Sequence, residues 1–249
     1  MRVPLEQAEK ARAELLEFAA HGFEERDLPG RLELAVYGDS KVEKALRAAF
    51  ECVSSEQVEL GWENRWRAFH RPVTIGKLWV GPPWEEPAKG LLPVVIDPGG
   101  AFGTGAHPTT RLCLELLQES EPASLLDVGC GSGVLAIAAE KLGFSPVAAL
   151  DNDPEAIEAT LTNAEANGVA PEVQLADALV EQLPVADVVV CNISLQALGE
   201  LAPRLECKTL VASGFLASDD LRLAGYRVVS RHEQGDWAAV EARPERGRE

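Results

Sequence analysis

Residues 124–153, SLLDVGCGSGVLAIAAEKLGFSPVAALDND, constrain the fold more than any other stretch. Ser124 to Val128 is a short apolar run suited to a buried parallel strand. Gly129, Gly131 and Gly133 follow at alternate positions. Val134, Leu135, Ile137, Ala138 and Leu142 then mark one face of a helix, with Gly143 as its stop. A second strand, Pro146 to Leu150, ends in Asp151. Glycines let the chain turn tightly and let a ligand approach without a Cβ in the way. A helix starting there aims unpaired N–H groups at whatever is bound. An acid at the end of the next strand can accept both hydroxyls of a ribose. The unit is built for a nucleoside-bearing cofactor.

Spacing leaves the cofactor open. Counted from Gly129, the dinucleotide pattern G-x-G-x-x-G/A fails at Val134; counted from Gly131 it passes at Ala136. Asp127, two residues before the first glycine, turns the reading. D-x-G-x-G-x-G is similar to motif I of the class I S-adenosylmethionine-dependent methyltransferases, in which this acid lies near the methionine end of the cofactor.

The 249 residues suffice for a main domain and a small one, and a hydrophobic content of 46% is that of a chain with a full core. No apolar run is long enough to span a membrane, and the first residues lack the basic-then-apolar order of a signal peptide. Five scattered cysteines without a C-x-x-C pair, and four histidines without ligand spacing, predict reduced thiols in the cytoplasm and no metal site. The net charge of −17 argues against a nucleic-acid surface and for a basic protein partner, or for solubility alone.

Residues 1–60 read as a small α+β module. Leu5, Ala8, Leu15 and Phe18 mark a helix; RLELAVY (31–37) alternates as a half-buried strand; Ser40 and Glu43 propose a capping box for a second helix; QVEL (57–60) suggests another strand. The order is ferredoxin-like, with a first strand at Arg2 to Pro4 short or missing. Residues 61–93 hold four of the five tryptophans and read as a loop-rich linker, with Trp62, Trp66, Phe69 and Trp79 packing between domains. From 94 on, a strand enters a second glycine loop, GGAFGTGAHPTT, and Thr109 or Thr110 opens a helix. His107 on that loop is a capping residue or a base. Asp153 and Pro154 start the next helix. Strands follow at EVQLA, before Asp177, and at ADVVVCN, ending in Asn192. TLVASGF and a hairpin around Gly235 and Asp236 close an otherwise parallel sheet with antiparallel strands, a methyltransferase trait.

Three stretches together, AFGTGAHPTT, DVGCGSGVLAIAAEKLG and VVVCNI, resemble the bacterial methyltransferases of large-subunit ribosomal protein L11. PPW in the linker and the late SGFL and QGDW fit as well, so the resemblance covers 61–242. It implies a doubly wound, mostly parallel seven-stranded α/β sheet over 94–249 that binds S-adenosyl-L-methionine. It also implies an N-terminal substrate-recognition domain over 1–60 and methyl transfer to lysine or N-terminal amines of that basic protein by a monomeric enzyme. By motif position, Phe102, Thr104, Thr110, Gly129, Gly131, Asp151, Asp177 and Asn192 would contact the cofactor, with Asn192 also beside the accepting amine as the catalytic residue. Gly100, Ala106 and Cys191 depart from the family's usual residues, and 203–225 is shorter than usual.

A sulfonium leaves readily, so such an enzyme mainly holds amine, methyl carbon and sulfur in line. An α-amine, of pKa about 8, is partly neutral at pH 7, whereas a lysine, about 10.4, must lose its proton on or before binding. N-P-P-[YF], expected for amide-nitrogen methylation, is absent: the chain reads Asn192-Ile193-Ser194-Leu195. Two other readings are a methyltransferase for a different protein lysine or a small molecule, and a non-catalytic module that binds a nucleotide cofactor.

Overall fold

The structure is a computed structural model. It describes residues 70–98 and 103–245 continuously, and before them 2–4, 24–28, 31–35, 43, 44, 46, 47, 50 and 53–55. The chain divides into two compact units, Met1–Glu63 and Asn64–Glu249.

In the first unit, β1 (Arg2–Pro4), β2 (Glu24–Leu28) and β3 (Arg31–Ala35) form an antiparallel sheet in the order β1-β3-β2. Leu32 and Leu34 are buried, as their alternation predicts. The first strand is present, with Val3 opposite Leu32. β2 has no counterpart in the sequence reading, because EERDL carries four charges and no apolar alternation. The first helix, QVEL, Trp62, Trp66 and Phe69 lie outside the described residues.

The loop-rich reading of 61–93 gives way over its second half. β4 (Val73–Ile75), β5 (Leu78–Gly81) and β6 (Leu92–Val95) form a three-stranded sheet that belongs to the second unit. Apart from Gly81 and Pro93, their prolines and glycines sit outside the short strands, which is why composition alone suggests a connector. Trp79 is buried in β5, and Ile75, Leu78 and Val80 join the same core as the helices that follow.

The main sheet begins at β7 (Leu125–Val128) and β8 (Val147–Asp151), joined by α2 (Val134–Leu142). Before them stands α1 (Pro108–Glu119), one residue longer at its start than expected: His107 is its cap and Pro108 its first residue. Then come α3 (Pro154–Asn167), β9 (Glu172–Leu175), β10 (Val188–Asn192) and α4 (Leu195–Leu201). β11 (Thr209–Leu216), β12 (Tyr226–Gln234) and β13 (Trp237–Pro244) complete seven strands in the order β12-β13-β11-β10-β7-β8-β9. β9, β8, β7, β10 and β11 run parallel, and β13 and β12 are antiparallel.

Strand periodicity sorts the core into two layers. Leu125, Val147, Val188, Val190, Val211 and Ala239 face the layer that holds α1, α2 and the small sheet. Leu126, Leu150, Val189, Leu210, Ala212 and Val240 face the layer that holds α4. Both faces are covered, so the parallel strands read as continuous apolar runs. Among the described residues, no helix is long and apolar enough to cross a membrane.

Candidate active site at the carboxyl edge of the sheet

β7 runs out into Gly129, Gly131 and Gly133, which all take positive φ (75°, 53° and 80°). Only glycine adopts such angles freely, so the loop can fold back on itself. Gly129 and Cys130 donate to the Leu150 carbonyl at 2.9 and 3.1 Å, which ties the loop to the end of β8. The Asp151 carboxylate closes the circuit. One oxygen accepts from Gly131 N at 3.0 Å and the other from Asp153 N at 3.0 Å.

Two buried polar residues on α3, unmarked in the sequence reading, hold the loop from behind. Thr160 Oγ1 donates to Gly131 O at 3.0 Å and Asn163 Nδ2 to Ser132 O at 2.9 Å. Asn163 Oδ1 accepts from Asp97 N at 3.0 Å, and Asn167 grips both backbone groups of Val95 at 2.9 and 2.6 Å. The second glycine loop is tied to the first in turn: Ser132 Oγ donates to Gly103 O at 2.6 Å. Their only sequence signal is a threonine and an asparagine three apart among the buried alanines Ala156 and Ala164.

Asp127, also on β7, is fully buried. Its Oδ2 accepts from Ala136 N at 3.0 Å in the first turn of α2; Oδ1 is buried with no hydrogen-bond partner among the described residues. Burial pushes the carboxyl up to about 7, the Ala136 bond opposes the shift, and the Asp151 charge adds to it.

Thr110, fully buried on α1, and Asn192, half-buried at the end of β10, meet directly: Asn192 Nδ2 donates to Thr110 Oγ1 at 3.2 Å. The residues are 82 apart in sequence. Asp177 follows β9 on the same edge; its Oδ1 accepts from Leu179 N at 2.9 Å. Thr104 is half-buried beside Gly103, and Phe102 lies outside the described residues. His107 caps α1 through Nδ1, which accepts from Thr109 N at 3.3 Å, and its ring stands edge-on to Trp237 at 4.8 Å. The capping reading of His107 is the one its geometry supports.

The described cysteines, 113, 130, 191 and 207, are free thiols. Burial raises each of them, Cys130 to about 12. A thiol so raised is a poor nucleophile. Among the described residues no group of histidine, cysteine and carboxylate side chains is placed to hold a metal ion.

The sequence matches the family model of ribosomal protein L11 methyltransferases (PrmA) over residues 31–245. The chain belongs to the ribosomal protein L11 methyltransferase family. It is 36% identical to the ribosomal protein L11 methyltransferase of Myxococcus xanthus, over 97% of this chain and 96% of that one. It is 42% identical to the one from Vibrio parahaemolyticus, over 76% and 69%. Among solved structures, the ribosomal protein L11 methylase of Lactobacillus delbrueckii subsp. bulgaricus aligns with a TM-score of 0.62 and 29% identity, covering 71% of this chain and all of that one. The seven-stranded sheet with its closing antiparallel pair is the class I methyltransferase fold expected from the sequence.

The residues at the carboxyl edge fit S-adenosyl-L-methionine. A glycine cradle, a buried carboxylate oxygen without a partner among the described residues and a second carboxylate at the end of β8 suit a cation-bearing nucleoside. Asp151→Ala is expected to weaken cofactor binding by about 1.5–3 kcal/mol, or roughly 10- to 100-fold, through loss of a charged acceptor. Calorimetry giving the wild-type affinity would remove Asp151 from the site.

Proposed function

We propose that this chain transfers methyl groups from S-adenosyl-L-methionine to amino groups of ribosomal protein L11, on lysine side chains, the N-terminal amine or both. The observation that carries the reading is the Asn192–Thr110 hydrogen bond, which sets one polar side chain at the carboxyl edge of the sheet beside the glycine loop. When bound, the cofactor supplies a methyl carbon on a sulfonium, and the protein's task is alignment.

Each residue has a part in that alignment. Gly129 and Gly131 give the cofactor close access to the backbone. Asp151 accepts from the ribose, Asp177 lies toward the adenine, and Asp127 faces the positive methionine end. Phe102 and Thr104, on the second glycine loop, would cover the cofactor. Thr110 fixes the rotation of the Asn192 amide. With Nδ2 engaged, Oδ1 is the atom that accepts from an incoming amine and turns its lone pair toward the methyl carbon. None of the described cysteines is activated as a nucleophile, which favours direct transfer.

The net charge of −17 suits a basic protein partner. Residues 1–60 are the recognition domain in this reading, because the cofactor residues all follow residue 93. We take the enzyme to act as a cytoplasmic monomer, without nucleic acid or membrane.

The test is mass spectrometry of L11 after incubation with enzyme and isotopically labelled cofactor. Labelled amines on L11 are expected with the whole chain and are lost with a chain beginning at Asn64 that still binds cofactor. No label on L11 would reject the substrate. Full labelling by the shortened chain would reject the recognition role.

A further inference from the structure

The peptide that follows Asn192 is held by a glycine on the neighbouring strand. β10 and β11 run in register as far as Asn192 opposite Ser213. Ile193 N then donates to Ser213 O at 3.2 Å. At this point β11 is irregular: its pairing with β13 shifts between Ser213 and Phe215, which makes Gly214 the extra residue of a bulge. Gly214 has φ 104°. A Cβ there would collide with the carbonyl oxygen of Ile193 and would lie 2.7 Å from its carbonyl carbon and 3.0 Å from its nitrogen. All three are backbone atoms, so no side-chain rotation relieves the clash.

Ile193 is confined from a second direction. A Cβ on Gly129, in the first glycine loop, would stand 2.8 Å from Ile193 Cγ2. The residue after Asn192 is therefore packed between two glycines, one on the cofactor loop and one in the β11 bulge. The bulge is itself anchored, since Ser213 is fully buried and its Oγ donates to Ala238 O on β13 at 2.7 Å.

We propose that Gly214 is a positioning residue for methyl transfer: its missing side chain lets the Asn192–Ile193 peptide lie against β11, and so sets where the Asn192 amide meets the amine. The inference rests on the role given to Asn192 above. Strand pairing alone would accept any residue in a regular strand; a positive φ pressed onto the backbone of the next strand accepts only glycine. A β-carbon would drive the peptide back by about an ångström, a displacement that costs on the order of 10²-fold when it misaligns reacting groups.

The experiment measures kcat on L11, KM for L11 and the cofactor dissociation constant for wild type, Gly214→Ala and Ser213→Ala, at a temperature where each is fully folded. Gly214→Ala is expected to lower kcat by roughly 10- to 100-fold while the cofactor dissociation constant and KM stay within about 3-fold. Ser213→Ala, which only loosens the bulge, is expected to lower kcat several-fold with the same selectivity, and it carries the test if Gly214→Ala does not fold. A wild-type kcat in the folded Gly214→Ala variant, or in Ser213→Ala where that variant is unfolded, overturns the proposal; so does a cofactor affinity that falls in step with kcat. Asn192→Ala, run alongside, separates the two readings: if it loses activity and Gly214→Ala does not, only this inference fails.

Discussion

Asn192→Ala should lower kcat on the protein substrate by on the order of 10²-fold and leave cofactor affinity nearly unchanged. The reason is positional. Asn192 ends a strand whose other four residues are buried, and its Nδ2 is fixed by Thr110, itself fully buried in the first turn of α1. An amide locked from one side presents its oxygen in one direction, and orientation acts most strongly in the transition state. Thr110→Val, nearly isosteric, should reproduce part of the loss by freeing the amide. If Asn192 only capped the turn before α4, the alanine variant would be less stable and equally active. Single-turnover transfer with saturating cofactor distinguishes these: an unchanged rate in folded Asn192→Ala removes it from the reaction.

A second large effect is expected at Asp127, in stability rather than rate. Its carboxyl titrates near 7 in the folded protein because it is buried, against an ordinary value of 3.8. Between those two values the folded state holds a proton that the unfolded state has lost. The contribution of this group to stability therefore falls as pH rises from about 4 to about 7, and is flat above and below. Three pKa units correspond to about 4 kcal/mol. Asp127→Asn removes the titration and keeps an oxygen for the Ala136 N–H. Its stability relative to wild type should climb through that window and level off by about pH 8, in paired urea titrations at pH 5 and pH 8. A difference between the two proteins that does not change with pH would show that Asp127 is not protonated in the fold. In the proposed binding mode, with the cofactor's cation beside Oδ1, saturating cofactor should reverse the order at pH 8, because a nearby cation favours the ionised form.

What the sequence disclosed followed the range of the interactions. The first glycine loop, the strand before it and Asp151 after it lie within thirty residues, and their pattern is periodic, so the central unit was legible down to its helix stop at Gly143. Asn192 was legible because an unbroken apolar strand ends there. The supports of these residues were not. Thr160, Asn163 and Asn167 act across 29 to 72 residues of chain, and nothing local distinguishes them from other polar residues of a helix. Gly214 sits inside SGF, which reads as ordinary strand; its positive φ exists only because β11 must bulge against β13. The sheet of β4 to β6 was hidden for the opposite reason. Its turns are dense in proline and glycine, and strands of three or four residues are too short to show alternation between them.

The asparagines of α3 have a bearing on how the protein assembles. Val95 and Asp97, which lead into the second glycine loop, find their acceptors on Asn167 and Asn163, 72 and 66 residues further along. Closing so long a segment of chain carries an entropic cost that must be met before the contacts form. The approach to Thr104 and Thr110 thus gains this part of its anchorage only once α3 has docked, after β7, α2 and β8 have been threaded between them. During synthesis the ribosome must release the chain beyond Asn167 before these two bonds to Val95 and Asp97 can form. The backbone leading into the second glycine loop is therefore fully secured only as a late event in the protein's biogenesis, however early the first glycine loop takes shape.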